Sequence, residues 1–360
     1  MAHSYSTATS DNISSAQTML AVQKPAAEPG FHLVQAPIPE IGPEDVLVKV
    51  SLASICGTDL HITEWDNWSA SRIKPPLIYG HEFCGVVEAV GKDVKKFHPG
   101  MRVSAEMHVP CRHCRQCMTG NLHICEQVQI LGVDGDGCFA QYVKIPRLQL
   151  VTLPPEVSDE YGACLDSLGN AVHAVSRAEV SGKAVHIVGC GPVGLFAIKV
   201  AHALGATRVF ASDVVPYRLE LAEKAGADAV FDASKTTVSA EILAATKGMG
   251  ADVVLEMSGN PHALKDGLTG LKNAGTVVLF GIFGQPVPVN LNQDIIFKEA
   301  QVIGVNGRRM FDTWILMLDL LEAKKIDIDF MLTHRFDLSD FGKAIELIGS
   351  GHSGKILLKP

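Results

Sequence analysis

The spacing of apolar and polar positions divides the chain into two regimes. Between Val46 and Ile145 the apolar runs are short and β-like, as in "DVLVKVSLASIC", "FCGVVEAVG" and "FAQYVKI", with Gly, Pro and Asp clusters between them. This half is predicted to be mostly β. From Gly182 the pattern alternates: "AVHIVG" reads as a buried strand, "PVGLFAIKVAHALGA" as a helix, "RVFASD" as a strand and "PYRLELAEKAGA" as a helix. "AVFDA", "ADVVLEMSG" and "GTVVLFG" continue as strands with helical patterns between them, which predicts an α/β domain with a doubly wound parallel sheet. After "AQVIGVNG", helices around "FDTWILMLDLLEAKK" and "SDFGKAIELIGSG" and a closing strand "KILLKP" are expected to return to the first domain. The expected division is a disordered leader at residues 1–18, a discontinuous β-rich domain at 19–167 and 307–360, and a nucleotide-binding domain at 168–306.

Composition narrows the function. A chain of 360 residues exceeds what one core usually serves, and its 47% hydrophobic and 19% charged residues are those of an ordinary globular protein. A net charge of −8 argues against nucleic acid or an anionic membrane as partner and leaves small-molecule chemistry. No apolar run approaches the roughly 20 residues of a membrane helix. The first eighteen residues, "MAHSYSTATSDNISSAQT", have no Lys, Arg or apolar stretch and so resemble neither a secretory signal nor a transit peptide. Together with nine cysteines, an odd number, this points to a reducing, cytoplasmic setting.

"VGCGPVG" sets Gly189, Gly191 and Gly194 in the G-x-G-x-x-G spacing between a strand and a helix. The first glycine allows the tight turn, the second lets backbone approach a pyrophosphate, and the third lets helix pack on strand. Asp213 ends the next strand, where a carboxylate binds ribose hydroxyls and repels a 2′-phosphate; NAD is therefore favoured over NADP. Arg218 either lies across the adenosine or accommodates a phosphate. A glycine-rich turn without ligand is the alternative.

Two cysteine patterns differ in kind. Cys111, Cys114, Cys117 and Cys125 follow C-x2-C-x2-C-x7-C, and four thiolates close in sequence saturate a tetrahedral ion, as in a structural zinc. An iron–sulfur site is the rival, but its bacterial run brings the fourth cysteine after three residues, followed by Pro. Cys84, Cys138, Cys164 and Cys190 have no partner pattern and are expected to pack as small hydrophobes. Cys56 in "ASICGTDLHI", with His81 and Glu82 in "YGHEFCGVVEAVG", supplies a thiolate, an imidazole and a carboxylate, a set suited to a catalytic zinc that keeps one position open.

With the CGTD segment, the GHE signature, the four-cysteine lobe and the GxGPxG turn in this order, the chain resembles the zinc-dependent medium-chain dehydrogenase/reductase family from about Met19 to Pro360. It is most similar to the branch that oxidises L-threonine, on "CGTDLHITEWDNWS", "EMHVPCRHC", "LDSLGNAVHA", "SDVVPYRLELA", "IIFKEAQVIGVNGRRMFDTW" and "THRFDLSDF". The resemblance implies a GroES-like catalytic domain with an inserted Rossmann domain, a homotetramer, and one catalytic and one structural zinc per chain. It also implies that Cys56, His81 and Glu82 hold the catalytic zinc and that Val193, Asp213, Arg218, Phe280, Gly281, Ile282, Val305 and Asn306 line NAD. Asp166 of "LDSLGN" falls near the zinc; Ser167 follows it where the family often has proline, so Asp166 is assigned to proton transfer and not to the metal.

Oxidation of a secondary alcohol requires loss of the hydroxyl proton before hydride transfer, and zinc lowers the pKa of a bound oxygen. Thr58 and His61 are expected to pass that proton through the cofactor ribose to solvent, unless they are a turn hydroxyl and a surface imidazole. His108, just before the cysteine lobe, matches a histidine the family places at the substrate. Trp65 and Trp68 are either a pocket wall or packing. Two other readings are a dehydrogenase of 2,3-butanediol or sorbitol type, and a non-catalytic NAD-binding redox sensor on the same fold.

Overall fold

The computed structural model describes residues 17–360, so most of the expected leader lies outside the described residues. Two large sheets organise the chain. The first joins seven strands, with Asp45–Ser54 and Phe83–Val90 paired antiparallel at its centre. The C-terminal strand Lys355–Lys359 lies between Asp45–Ser54 and Leu332–Asp337, so the end of the chain completes the sheet begun near its start. A three-stranded sheet built on Thr18–Lys24 lies apart from it.

The second sheet has six strands, all parallel, in the spatial order Ala229–Asp232, Arg208–Asp213, Ala184–Val188, Ala251–Glu256, Leu271–Leu279, Gln301–Gly304. This is the 3-2-1-4-5-6 order of a dinucleotide-binding sheet, with its switch point between Ala184–Val188 and Ala251–Glu256. Helix Leu165–Arg177 links the two halves. One apolar core runs from Cys84 and Leu153 through Leu165, Leu168 and Val172 to Val185 and Ile187.

The first half is less purely β than its pattern implies. Helices Gly57–Glu64 and Asn67–Arg72 interrupt it, separated by Trp65 in the left-handed region (φ 56°) and Asp66, whose side chain accepts the Ser69 N–H. Eight and six residues are too few to display a helical period, so caps define them instead. Cys84, Cys138, Cys164 and Cys190 are buried, as expected of small hydrophobes.

His186 is buried in a central strand with Nε2 2.9 Å from Ser212 Oγ, and burial lowers its pKa to about 4. An unfolded imidazole titrates near 6.5, so the unfolded chain takes up a proton that the folded chain refuses. The stability this contributes is complete above about pH 6.5 and is lost as pH falls toward 4, on the order of 3 kcal/mol. In urea titrations at pH 7 and pH 4, His186→Gln is expected to lose less stability on acidification than the parent. Equal losses would contradict this.

Candidate active site

Cys56, His81 and Glu82 converge. One ligand atom from each lies within 4.8 Å of the others, although Cys56 caps helix Gly57–Glu64 and the other two precede strand Phe83–Val90. Asp59 explains part of this. Its Oδ2 accepts the Cys56 N–H at 2.9 Å in a capping arrangement, and its Oδ1 lies 3.7 Å from His81 Nδ1. One buried carboxylate therefore holds the Cys56 backbone and faces the His81 ring. The C-x-x-D spacing of "CGTD" carried this signal, and the sequence reading missed it.

Glu82 is held from the opposite side. It contacts Lys355 Nζ and Ser54 Oγ through Oε2 and accepts from Ser167 Oγ at 2.5 Å through Oε1. Lys355 and Glu82 are both fully enclosed. Burial would raise the Glu82 pKa, but the Lys355 ammonium and His81 outweigh it and keep the carboxylate ionised. Burial likewise opposes a proton on His81, yet Asp59, Cys56 and Asp166 raise its pKa to about 10. A donor set this rich in negative charge draws a cation, and a thiolate, an imidazole and a carboxylate are the ligands zinc takes.

Thr58 Oγ1 is 3.9 Å from Cys56 Sγ. His61 lies three residues on in the same helix, exposed, with Nδ1 2.8 Å from Asp66 Oδ2. Trp68 meets the His61 ring edge-on at 6.5 Å, whereas Trp65 lies under the Lys24 ammonium at 4.9 Å and packs on the core. Asp166, in the first turn of helix Leu165–Arg177, has Oδ1 2.5 Å from Arg308 Nη1. His108 is paired with Glu106. Arg308, Glu106 and Lys355 were not singled out in the sequence.

The four cysteines of the lobe also converge. Cys114 Sγ is 3.5 Å from Cys117 Sγ and 3.8 Å from Cys125 Sγ, and Cys111 Sγ is 4.0 Å from Cys117 Sγ. Zinc–sulfur bonds of about 2.3 Å in a tetrahedron require sulfur separations of roughly 3.8 Å. Backbone N–H groups lower the Cys114 pKa to about 6, while burial and the neighbouring sulfurs raise that of Cys117 to about 12. Replacing Cys117 by serine is expected to remove about one zinc per chain and expose Arg112 and Arg115 to trypsin. Metal counting and limited digestion check this; an intact lobe with full zinc would contradict it.

In the dinucleotide turn, Gly189 has φ 94° with Ser258 packed so closely that a Cβ would meet it at 2.8 Å, and a Cβ on Gly194 would collide with the Gly189 carbonyl. Gly191 faces open space at the start of helix Pro192–Ala203, with Val193 in its first turn. Asp213 accepts backbone N–H groups from Cys190 (2.7 Å), Val214 (2.8 Å) and Val215 (2.9 Å), and Arg218 Nη1 is 4.0 Å from it. Phe280, Gly281, Ile282, Val305 and Asn306 are among the residues lining a cleft of about 490 Å³. Buried Glu256, absent from the expected set, holds the start of the Phe280–Ile282 turn: its carbonyl accepts the Phe280 and Gly281 N–H groups, both at 3.0 Å.

A GroES-like sheet bearing a Cys/His/Glu trio, joined to a Rossmann sheet, defines a zinc-binding dehydrogenase, and the chain belongs to that family. Residues 42–155 match the alcohol dehydrogenase GroES-like domain and residues 192–323 match the zinc-binding dehydrogenase domain. Among named relatives, the L-threonine 3-dehydrogenase of Symbiobacterium thermophilum is 44% identical over 96% of this chain and 99% of that enzyme. Among solved structures, a protein from Sinorhizobium meliloti described as a zinc-binding dehydrogenase bound to NADP is 32% identical, with a TM-score of 0.86 over 95% of this chain and 99% of that one. The 2R,3R-butanediol dehydrogenase of Bacillus subtilis is 30% identical, with a TM-score of 0.86 and the same coverage. No helix among the described residues is long and apolar enough to cross a membrane.

Proposed function

We propose that the protein oxidises L-threonine at its secondary hydroxyl to L-2-amino-3-oxobutanoate with NAD. The observation that carries the substrate is 44% identity to an L-threonine 3-dehydrogenase across nearly its full length, against 30% to a butanediol dehydrogenase. Cys56, His81 and Glu82 hold the catalytic zinc, and Cys111, Cys114, Cys117 and Cys125 hold the structural one, giving two per chain. When bound, zinc supplies Lewis acidity toward the substrate oxygen and NAD accepts the hydride.

The chain's own groups do the rest. Asp59 holds the Cys56 backbone and sets a carboxylate against His81, and Lys355 keeps Glu82 ionised. Thr58 and the exposed His61, one turn apart on one helix, carry the hydroxyl proton outward, and Asp166 supports that transfer. His108 meets the substrate. Asp213 selects NAD over NADP by repelling a 2′-phosphate, and the glycine turn, Val193, Arg218, Phe280, Gly281, Ile282, Val305 and Asn306 form the remaining cofactor contacts.

Domain boundaries at 167/168 and 306/307 remain our division. Strand Gln301–Gly304 is paired on one side only and Val302, Ile282, Ile296 and Phe297 are exposed nearby in sequence, which supports self-assembly, taken here as a homotetramer. Nine unpaired cysteines support a reducing, cytoplasmic setting. The test is NADH formation from L-threonine, 2,3-butanediol and sorbitol with zinc counted per chain. The highest kcat/KM is expected with L-threonine; no threonine turnover in fully metallated protein would overturn the reading.

A further inference from the structure

Beside the site, side chains from four segments meet in one enclosed, charged knot. Glu106 directly follows strand Arg102–Ala105 and is buried. Burial alone would raise its pKa, but the Arg308 guanidinium and the hydrogen bonds from His108 and Trp314 outweigh that and lower it to about 2. Its Oε1 accepts from Arg308 Nη2 at 2.8 Å and from the His108 backbone N–H at 2.9 Å, and lies 2.8 Å from His108 Nδ1. Its Oε2 accepts from Trp314 Nε1 at 2.8 Å and faces Arg308 Nε at 2.8 Å.

Arg308 is fully enclosed and reaches Asn170 Oδ1 at 3.3 Å as well as Asp166. Gly169 makes room for it, since a Cβ there would stand 2.8 Å from Arg308 Cδ. Five contacts on one carboxylate leave it no freedom to turn. Being enclosed, Arg308 acts through Glu106 and Asp166 and not by touching substrate.

The consequence falls on His108. An ionised carboxylate only accepts, so the proton between Glu106 and His108 sits on Nδ1, and the lone pair that such a ring has when neutral is on Nε2. The ring keeps 13% of its side-chain surface exposed. A lone pair suits a protonated amine, the group that distinguishes a 2-amino alcohol from a diol. Asp166, the other carboxylate nearby, has Oδ1 committed to Arg308.

We propose that Glu106 and Arg308 are positioning residues that fix His108 as the Nδ1–H tautomer, so that Nε2 accepts from the substrate's ammonium group and the site selects amino alcohols over diols. This rests on threonine oxidation as the activity and names the group that reads the amine.

The test uses the zinc-loaded protein, labelled with ¹⁵N-histidine, as parent, Glu106→Gln and Glu106→Gln/Arg308→Met. In the single variant Arg308 keeps Asp166 as its partner, and the double variant removes that cation as well. NMR is expected to find His108 in the Nδ1–H form in the parent and in mixed tautomers in both variants. The ratio of kcat/KM for L-threonine to that for 2,3-butanediol is expected to fall about 10-fold to 100-fold, chiefly through the threonine KM. An unchanged tautomer overturns the clamp. A changed tautomer with an unchanged ratio, including equal losses on both substrates, overturns the selection. A parent without threonine turnover removes the activity and the selection with it, while the NMR result still decides the clamp.

Discussion

Replacing Cys56 by alanine is expected to lower kcat/KM by at least about 10³-fold, or roughly 4 kcal/mol of transition-state stabilisation. The thiolate is one of three donors within 4.8 Å, and its backbone N–H anchors Asp59, which faces His81. Loss of the sulfur leaves two protein ligands, too few to retain a catalytic zinc. Zinc should fall from two per chain to one, because the lobe's four sulfurs are untouched. The backbone N–H remains, so the fold should survive, and circular dichroism checks that. A variant that keeps two zincs, or turnover within tenfold of the parent, would contradict the assignment.

The second large effect is on stability. Lys355→Met is expected to cost about 3–5 kcal/mol in urea unfolding of the zinc-free protein, because it leaves the Glu82 carboxylate buried without a cation. Both side chains are fully enclosed, and the ammonium also donates to Ile55 O and Ser167 Oγ. The double variant Glu82→Gln/Lys355→Met removes the uncompensated charge and should recover most of the loss while staying inactive. Should Lys355→Met alone cost under about 1 kcal/mol, the pair would not be the enclosed ion pair described.

These expectations differ in how far the sequence revealed them. The lobe and the glycine turn were legible because their geometry is local: four sulfurs within fifteen residues, and three glycines between a strand and a helix. Cys56 and His81 were legible only in combination with Glu82, as a thiolate, an imidazole and a carboxylate, since separately each is an ordinary residue. Lys355 stands 273 residues from Glu82, and Arg308 stands 202 from Glu106. A single Lys or Arg in sequence looks like any solvated cation, and only the fold shows that these are enclosed. The return of the last strand to the first sheet was expected, but its register was not, and register is what sets Lys355 against Glu82. The short helices after Cys56 escaped detection because caps, not periodicity, define them.

The most direct test of the account follows the hydride. With L-threonine deuterated at C3, mass spectrometry of the reduced cofactor is expected to find one deuterium per NADH, together with L-2-amino-3-oxobutanoate or its decarboxylation product. NADH formed without the label, or no NADH from protein carrying two zincs per chain, would contradict oxidation at the C3 hydroxyl.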